Sequence, residues 1–259
     1  GKRQYCTERW PELAEHTFCC PNNFRRIMAQ LPGLIYYHSD TNGILINLYT
    51  LSQASIRVKN TTVRVFQKTD YPTLGKVEIK IDPDQPATFS VSLRIPAWCQ
   101  SGYVSLNGMP KVPVQGGSFC RIEREWQTGD RIILDLPMKW RWLKGRKIQA
   151  GRVALMRGSA LFCLNPNAED NRDLDLNPKE IVLYVESLSE PINAETIRPG
   201  GIACRVKGWR SRTDEPGKHD LDLLFTEFPD PGGEAVYFLP SEQEGANEDE
   251  LIEFPKTIP

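Results

Sequence analysis

Apolar and polar positions along this chain follow two different periods. Between Asn22 and Leu31, Phe24, Ile27, Met28 and Leu31 recur at i, i+3, i+4 and i+7. Arg25, Arg26 and Gln30 occupy the opposite side. That spacing predicts one short amphipathic helix, ended by Pro32–Gly33. From Gly33 onward the period is two. Leu34–His38 and Ile44–Thr50 flank a Ser-Asp-Thr-Asn-Gly hairpin loop at 39–43. In 76–81, Val77, Ile79 and Ile81 alternate with Lys76, Glu78 and Lys80. Phe89, Val91, Leu93 and Ile95 alternate with Ser90, Ser92 and Arg94 in the same way. Such segments bury one face and wet the other. Further strands are predicted at 55–59, 62–67, 103–106, 111–114, 118–123, 131–136, 152–156 and 159–164, with a second Asn-Gly turn at Asn107–Gly108.

Strands spaced by roughly 8–12 residues with turn residues between them describe antiparallel sandwiches. The fold class expected is mainly β: two antiparallel β-sandwich modules preceded by one short helix. Past Leu164 the alternation weakens. Residues 165–178 and 210–220 read as polar loops, and 181–186, 201–207 and 235–239 as strands. Residues 241–259 hold six acids against one lysine and read as a solvated or disordered tail. The division expected is 1–32, 33–150, 151–240 and 241–259.

Composition narrows the function classes. Lys plus Arg (32) balance Asp plus Glu (33) in the 259 residues, which excludes non-specific polyanion binding, nucleic acid included, as the default. The apolar runs are far shorter than the ~18–20 residues of a membrane-spanning helix. The first 15 residues are polar and contain Pro11, so neither a signal peptide nor a membrane partner is expected. Seven cysteines, an odd number, do not make a disulfide scaffold for a chain of this length.

Two of those cysteines, Cys19 and Cys20, are adjacent and precede Pro21. Proline favours the first helical position, which would make Cys20 the N-cap. There the helix dipole and free N–H groups favour thiolate, the form that attacks carbon or binds a metal. The plainer alternative is two buried thiols acting as small hydrophobes. Cys6 and His16 do not give the two-knuckle spacing of a structural zinc site. The basic stretch 139–152, with Trp140 and Trp142 and no acids, reads either as a sugar-stacking or anion-binding surface or as a core hairpin. Trp98, Trp126 and Trp209 read as core aromatics.

The run Phe18-Cys-Cys-Pro-Asn-Asn-Phe-Arg-Arg26, with Leu31-Pro-Gly-Leu-Ile-Tyr36 and Leu45-Ile-Asn-Leu-Tyr49, resembles glycoside hydrolase family 127, the β-L-arabinofuranosidase family. Leu93-Arg-Ile-Pro-Ala-Trp-Cys99, Trp126-Gln-Thr-Gly-Asp130 and Gly151-Arg-Val-Ala-Leu-Met-Arg-Gly158 extend the resemblance over roughly 17–165. The resemblance implies a retaining glycosidase built as an (α/α)6 barrel followed by β-sandwich domains. Carried over, it makes Cys19 the nucleophile and Cys20 a zinc ligand. The family's Glu-x-Cys zinc ligands and acid/base glutamate lie upstream of the cysteine pair. Only 18 residues precede Cys19 here, and Glu8, Glu12 and Glu15 do not form a Glu-x-Cys motif. The expectation is therefore the C-terminal β part of such an enzyme, with 1–32 as the end of its barrel. Alone it would be inactive and without bound zinc, and it would self-associate through the exposed barrel-remnant face. The parent's substrate would be a plant-type oligosaccharide or glycan. The alternative is a non-catalytic carbohydrate-binding or structural interaction module, recognised by a flat exposed row of tryptophans.

Overall fold

The computed structural model describes residues 19–39, 43–166, 168–171, 177–211, 221–230, 232–233, 235–241 and 246. Cys6, His16, the three N-terminal glutamates, His219 and nearly all of the acidic tail lie outside them. Two compact units divide between Met138 and Lys139.

The first unit opens with helix α1 (Cys19–Gln30), followed by a 3-10 turn over Leu31–Leu34. The helix begins before Pro21, so both cysteines stand in its first turn rather than at its cap. Proline fits inside that turn because the first four helical N–H groups have no intrahelical acceptor. The strands β1 (Tyr36–Ser39), β2 (Gly43–Ile46), β6 (Ala87–Ile95) and β9 (Ser118–Trp126) form one sheet in the order β1-β2-β6-β9. The other sheet runs β3 (Ser52–Val58), β4 (Thr61–Thr69), β5 (Lys76–Pro83), β10 (Asp130–Asp135), β7 (Gly102–Leu106), β8 (Val112–Val114).

The alternation in sequence becomes a shared interior. Ile44, Ile46, Val91, Leu93 and Trp126 from the first sheet join Val63, Val65, Val77, Ile79, Ile81, Ile132 and Leu134 from the second in one core. This is the expected sandwich. Trp126 is fully buried and its indole N–H donates to the Phe89 carbonyl at 2.9 Å. Buried Gln67 on β4 reaches the other sheet, its amide donating to Tyr36 Oη (3.0 Å) and the Leu48 carbonyl (3.1 Å). At Asn107–Gly108 both residues have positive φ (49° and 75°), and Met109 N–H donates to the Leu106 carbonyl at 2.8 Å. These are the marks of the type I′ turn that Asn-Gly predicts.

One pairing departs from the antiparallel expectation. β2 and β6 run parallel, with Ile44 opposite Val91 and Ile46 opposite Leu93. Between them the chain crosses to the second sheet for β3–β5, and such a crossover is what parallel neighbours require.

The second unit begins with the hairpin β11 (Trp140–Lys144) and β12 (Val153–Arg157), ahead of the division expected at 150. β11 belongs here because its backbone pairs with β12, Trp142 opposite Leu155. The remaining strands are β13 (Ala160–Leu164), β14 (Ile181–Leu183), β15 (Ile192–Asn193), β16 (Ile202–Arg210), β17 (Leu221–Glu227) and β18 (Leu239–Pro240). They make one eight-stranded sheet, β11-β12-β13-β17-β16-β14-β18 with β15 on β16, where a second sandwich was expected. The sheet curls on itself: Phe238 bridges Val153 of β12 while β18 pairs, in parallel, with β14. Leu155, Phe162, Leu164, Ile181, Leu183, Val206, Leu223 and Phe225 fill the resulting core. β17 is a central strand that the alternation did not predict.

A backbone contact suggests a stability test. Gly43 has φ +93°, and a Cβ there would overlap the Ser90 carbonyl. Gly43→Ala is expected to cost more than about 2 kcal/mol in urea unfolding. Gly108→Ala, also at positive φ but with nothing within 4 Å of the added Cβ, is expected to cost only about 1–2 kcal/mol.

Candidate functional site

Of the two predicted site residues, the backbone of both Cys19 and Cys20 is placed in the first turn of α1. Their side chains lie outside the described residues. Further along the helix, Phe24 is 66% exposed and Ile27 57%, with Met28 and Leu31 also exposed. The predicted apolar stripe is therefore present and uncovered.

The remaining described cysteines sit in or beside the cores rather than at a helix end. Cys99, Cys120, Cys163 and Cys204 are in no disulfide, with all but Cys120 fully buried. Burial pushes the Cys163 thiol up to about 12, assisted by the Asp230 charge, and raises those of Cys204 and Cys120. Among the described residues no three His, Cys, Asp or Glu side chains converge as metal ligands. The described residues therefore do not supply the zinc set that the family resemblance implies.

The tryptophans are structural. Trp126 is enclosed in the first core, Trp98 packs against it, and Trp140 and Trp142 pack on the second. Trp140 meets Phe162 edge-on at 4.7 Å. No flat row of exposed tryptophans exists among the described residues. The basic hairpin is thus a core hairpin in its strands, while its tip projects: Arg146 and Lys147 are exposed and Ile148 is 93% exposed. Two buried carboxylates, Glu227 and Asp230, are both ion-paired to Arg198, the latter at 2.7 Å, and act as a clasp between β17 and the turn at 194–201.

The sequence did not single out a cleft of about 530 Å³ on the outward face of the β1-β2-β6-β9 sheet. Strand register places Tyr37, Leu45, Ser92 and Arg121 in one row across the four strands. Phe119 stands beside Arg121 on β9, and His38 is at the β1 rim. The one legible signal was Phe119, an apolar residue in the solvent-facing phase of β9.

Comparison with known proteins places this unit. Residues 43–138 match the model described as the middle domain of GH127 β-L-arabinofuranosidase. The match ends where the first compact unit ends. The chain is similar to the crystal structure of Ara127N-Se, a GH127 β-L-arabinofuranosidase from Geobacillus stearothermophilus T6 (25% identity, TM-score 0.71, 86% of this chain and 37% of that one). A structure described as a glycoside hydrolase shares the fold at 23% identity and TM-score 0.71, over 87% of this chain and 40% of that one. A GH127 β-arabinofuranosidase does so at 23% and 0.69, over 89% and 39%. The chain spans about two fifths of the length of these proteins. No curated protein matches it. Residues 43–138 are thus similar to the middle domain of GH127 β-L-arabinofuranosidases, within a chain that shares the fold of glycoside hydrolase structures.

Proposed function

We propose that this chain is the β-rich carboxyl-terminal part of a retaining, β-L-arabinofuranosidase-like glycoside hydrolase, and that it does not hydrolyse glycosides by itself. The observation that carries the reading is the middle-domain match, joined directly to a helix that bears a cysteine pair in its first turn and an uncovered apolar stripe. In that reading α1 closes a helical catalytic domain, whose substrate is a plant-type oligosaccharide or glycan.

The proposed division of labour follows from the residues. The helix terminus favours the thiolate of Cys19. That sulfur would bond to the anomeric carbon as the glycosidic C–O bond breaks, a carboxylic acid giving its proton to the leaving oxygen. The resulting carboxylate would then take a proton from water, whose oxygen displaces the sulfur and restores the thiolate, with net retention. Cys20 would be one ligand of a structural and charge-stabilising zinc. The proposal assigns the acid/base glutamate and the other zinc ligands to the helical domain.

The 259-residue chain, assayed with p-nitrophenyl β-L-arabinofuranoside, is expected to show no turnover above background. Its zinc content, by plasma mass spectrometry, should fall well below one per chain. Turnover accompanied by stoichiometric zinc and lost in Cys19→Ser would overturn the division of labour. Alkylation read by peptide mass spectrometry at neutral pH checks the thiols separately. Iodoacetamide is expected to label Cys19 or Cys20 first, and Cys163 and Cys204 only when urea unfolds the chain. Equal labelling rates would remove the case for a reactive pair.

The uncovered stripe on α1 also makes self-association the expected state of the isolated chain. Sedimentation equilibrium should show oligomers that dissociate on combined Phe24→Ser and Ile27→Ser substitution. A monomer at all concentrations would count against it.

A further inference from the structure

We propose that the cleft on the outward face of the β1-β2-β6-β9 sheet binds a neutral oligosaccharide. The choice of sugar chemistry rests on the glycosidase reading above; the cleft itself rests on strand register. The middle strands carry the lower positions: Gly43 on β2 has no side chain, Ser90 on β6 is buried, and Leu45 and Ser92 stand half-buried side by side. The edge strands carry tall ones, Tyr37 on β1 and Phe119 and Arg121 on β9. A trough results, with aromatic walls and a floor of Leu45, Ser92 and glycine backbone. It spans three strand spacings of about 4.8 Å, roughly 14 Å from edge to edge. Its volume of about 530 Å³ is that of a ligand cleft.

The lining selects among ligand classes. Tyr37 is 43% exposed and Phe119 56%, so both rings offer apolar surface in a solvent-open cleft. A sugar presents just that combination of needs, C–H faces that lie on rings and hydroxyl edges that exchange hydrogen bonds. The Ser92 hydroxyl both donates and accepts, and the His38 ring and Arg121 guanidinium add donors at the rims. An anionic polymer would need uncompensated positive charge, whereas Arg121 pairs with Glu123 at 2.9 Å. The trough is open along its length, which suits a short chain of sugars rather than an enclosed monosaccharide.

The test is a nitrogen-15 NMR titration of the full 259-residue chain with arabinotriose, and in separate arms with xylotriose and cellotriose. At least one sugar is expected to shift the amides of Tyr37, Ser90, Ser92, Phe119 and Arg121 as a group, with weak, fast-exchange binding. Phe119→Ala and Tyr37→Ala are each expected to weaken that binding about tenfold, the worth of one ring contact. Ser92→Leu raises the floor while leaving both walls, and is expected to abolish binding; thermal melting verifies that each variant folds. The proposal is overturned if none of the three sugars shifts these amides up to its solubility limit, or if shifts fall elsewhere. It is equally overturned if folded Phe119→Ala and Ser92→Leu bind as the parent does, or if a second copy of the chain covers this face in solution. No arm reads hydrolysis, so a failure here leaves the proposed function standing, and the reverse holds too.

Discussion

Gly43 has no side chain, and the Ser90 backbone fills the space where one would stand. This approach lets β2 lie parallel to β6, and the rest of the first unit follows from it. The pairing joins the antiparallel pair β1-β2 to the antiparallel pair β6-β9, making four strands of one sheet. It also sends the intervening chain across the core, so that β3–β5 face the strands they interrupt. Ile44 and Ile46 then point inward beside Val91 and Leu93. A slip of β2 by one residue would turn Ile44 and Ile46 outward, because side chains alternate faces at every residue. The same register sets Leu45 beside Ser92 on the outer face, so the core and the cleft are two consequences of one pairing.

What the sequence disclosed about the fold depended on having one wet face. β5, β6 and β9 alternate cleanly and were legible, as was the Asn107–Gly108 turn, whose geometry demands residues that tolerate positive φ. β17 was not. Leu221, Leu223 and Phe225 enter the main core, while Leu224 is buried on the opposite side with Ala194 and Ala203. A strand covered on both faces loses the period of two. Strand direction was also hidden: the residues of β2 would suit either orientation, and only the crossover after Ile46 decides for parallel. The single curled sheet of the second unit arises from Phe238 meeting Val153 and from β18 meeting β14, contacts between segments too short to announce themselves.

The candidate chemistry was legible to an uneven degree. An adjacent cysteine pair before a proline and an amphipathic run is a local signal, and the helix is where that signal predicts it. The cleft was hidden because register is not a motif. Leu45 and Ser92 look like ordinary alternating positions until the register sets them side by side between Tyr37 and Arg121. The tryptophans misled in the opposite direction. They suggested a sugar platform by residue type, yet the two that looked most suitable, Trp140 and Trp142, pack on the second core.

Two exposed surfaces of the first unit differ in a way that assigns them different partners. The apolar stripe of α1 is continuous, at helical spacing, with no polar residue among Phe24, Ile27, Met28 and Leu31. A helix of 12 residues is marginal in water on propensity alone and draws its stability from burying such a stripe. Phe24 and Ile27 stay largely exposed, so that gain is missing from the described residues and a protein surface is the natural source of it. The sheet cleft differs. Its two rings stand apart across a floor where Leu45 lies beside Ser92, and the four strands beneath it gain their stability from the face they already bury. It owes nothing to a covering partner, and a small polar ligand can come and go without cost to the fold. The stripe therefore fits a permanent contact, such as the proposed helical domain, and the cleft a reversible one.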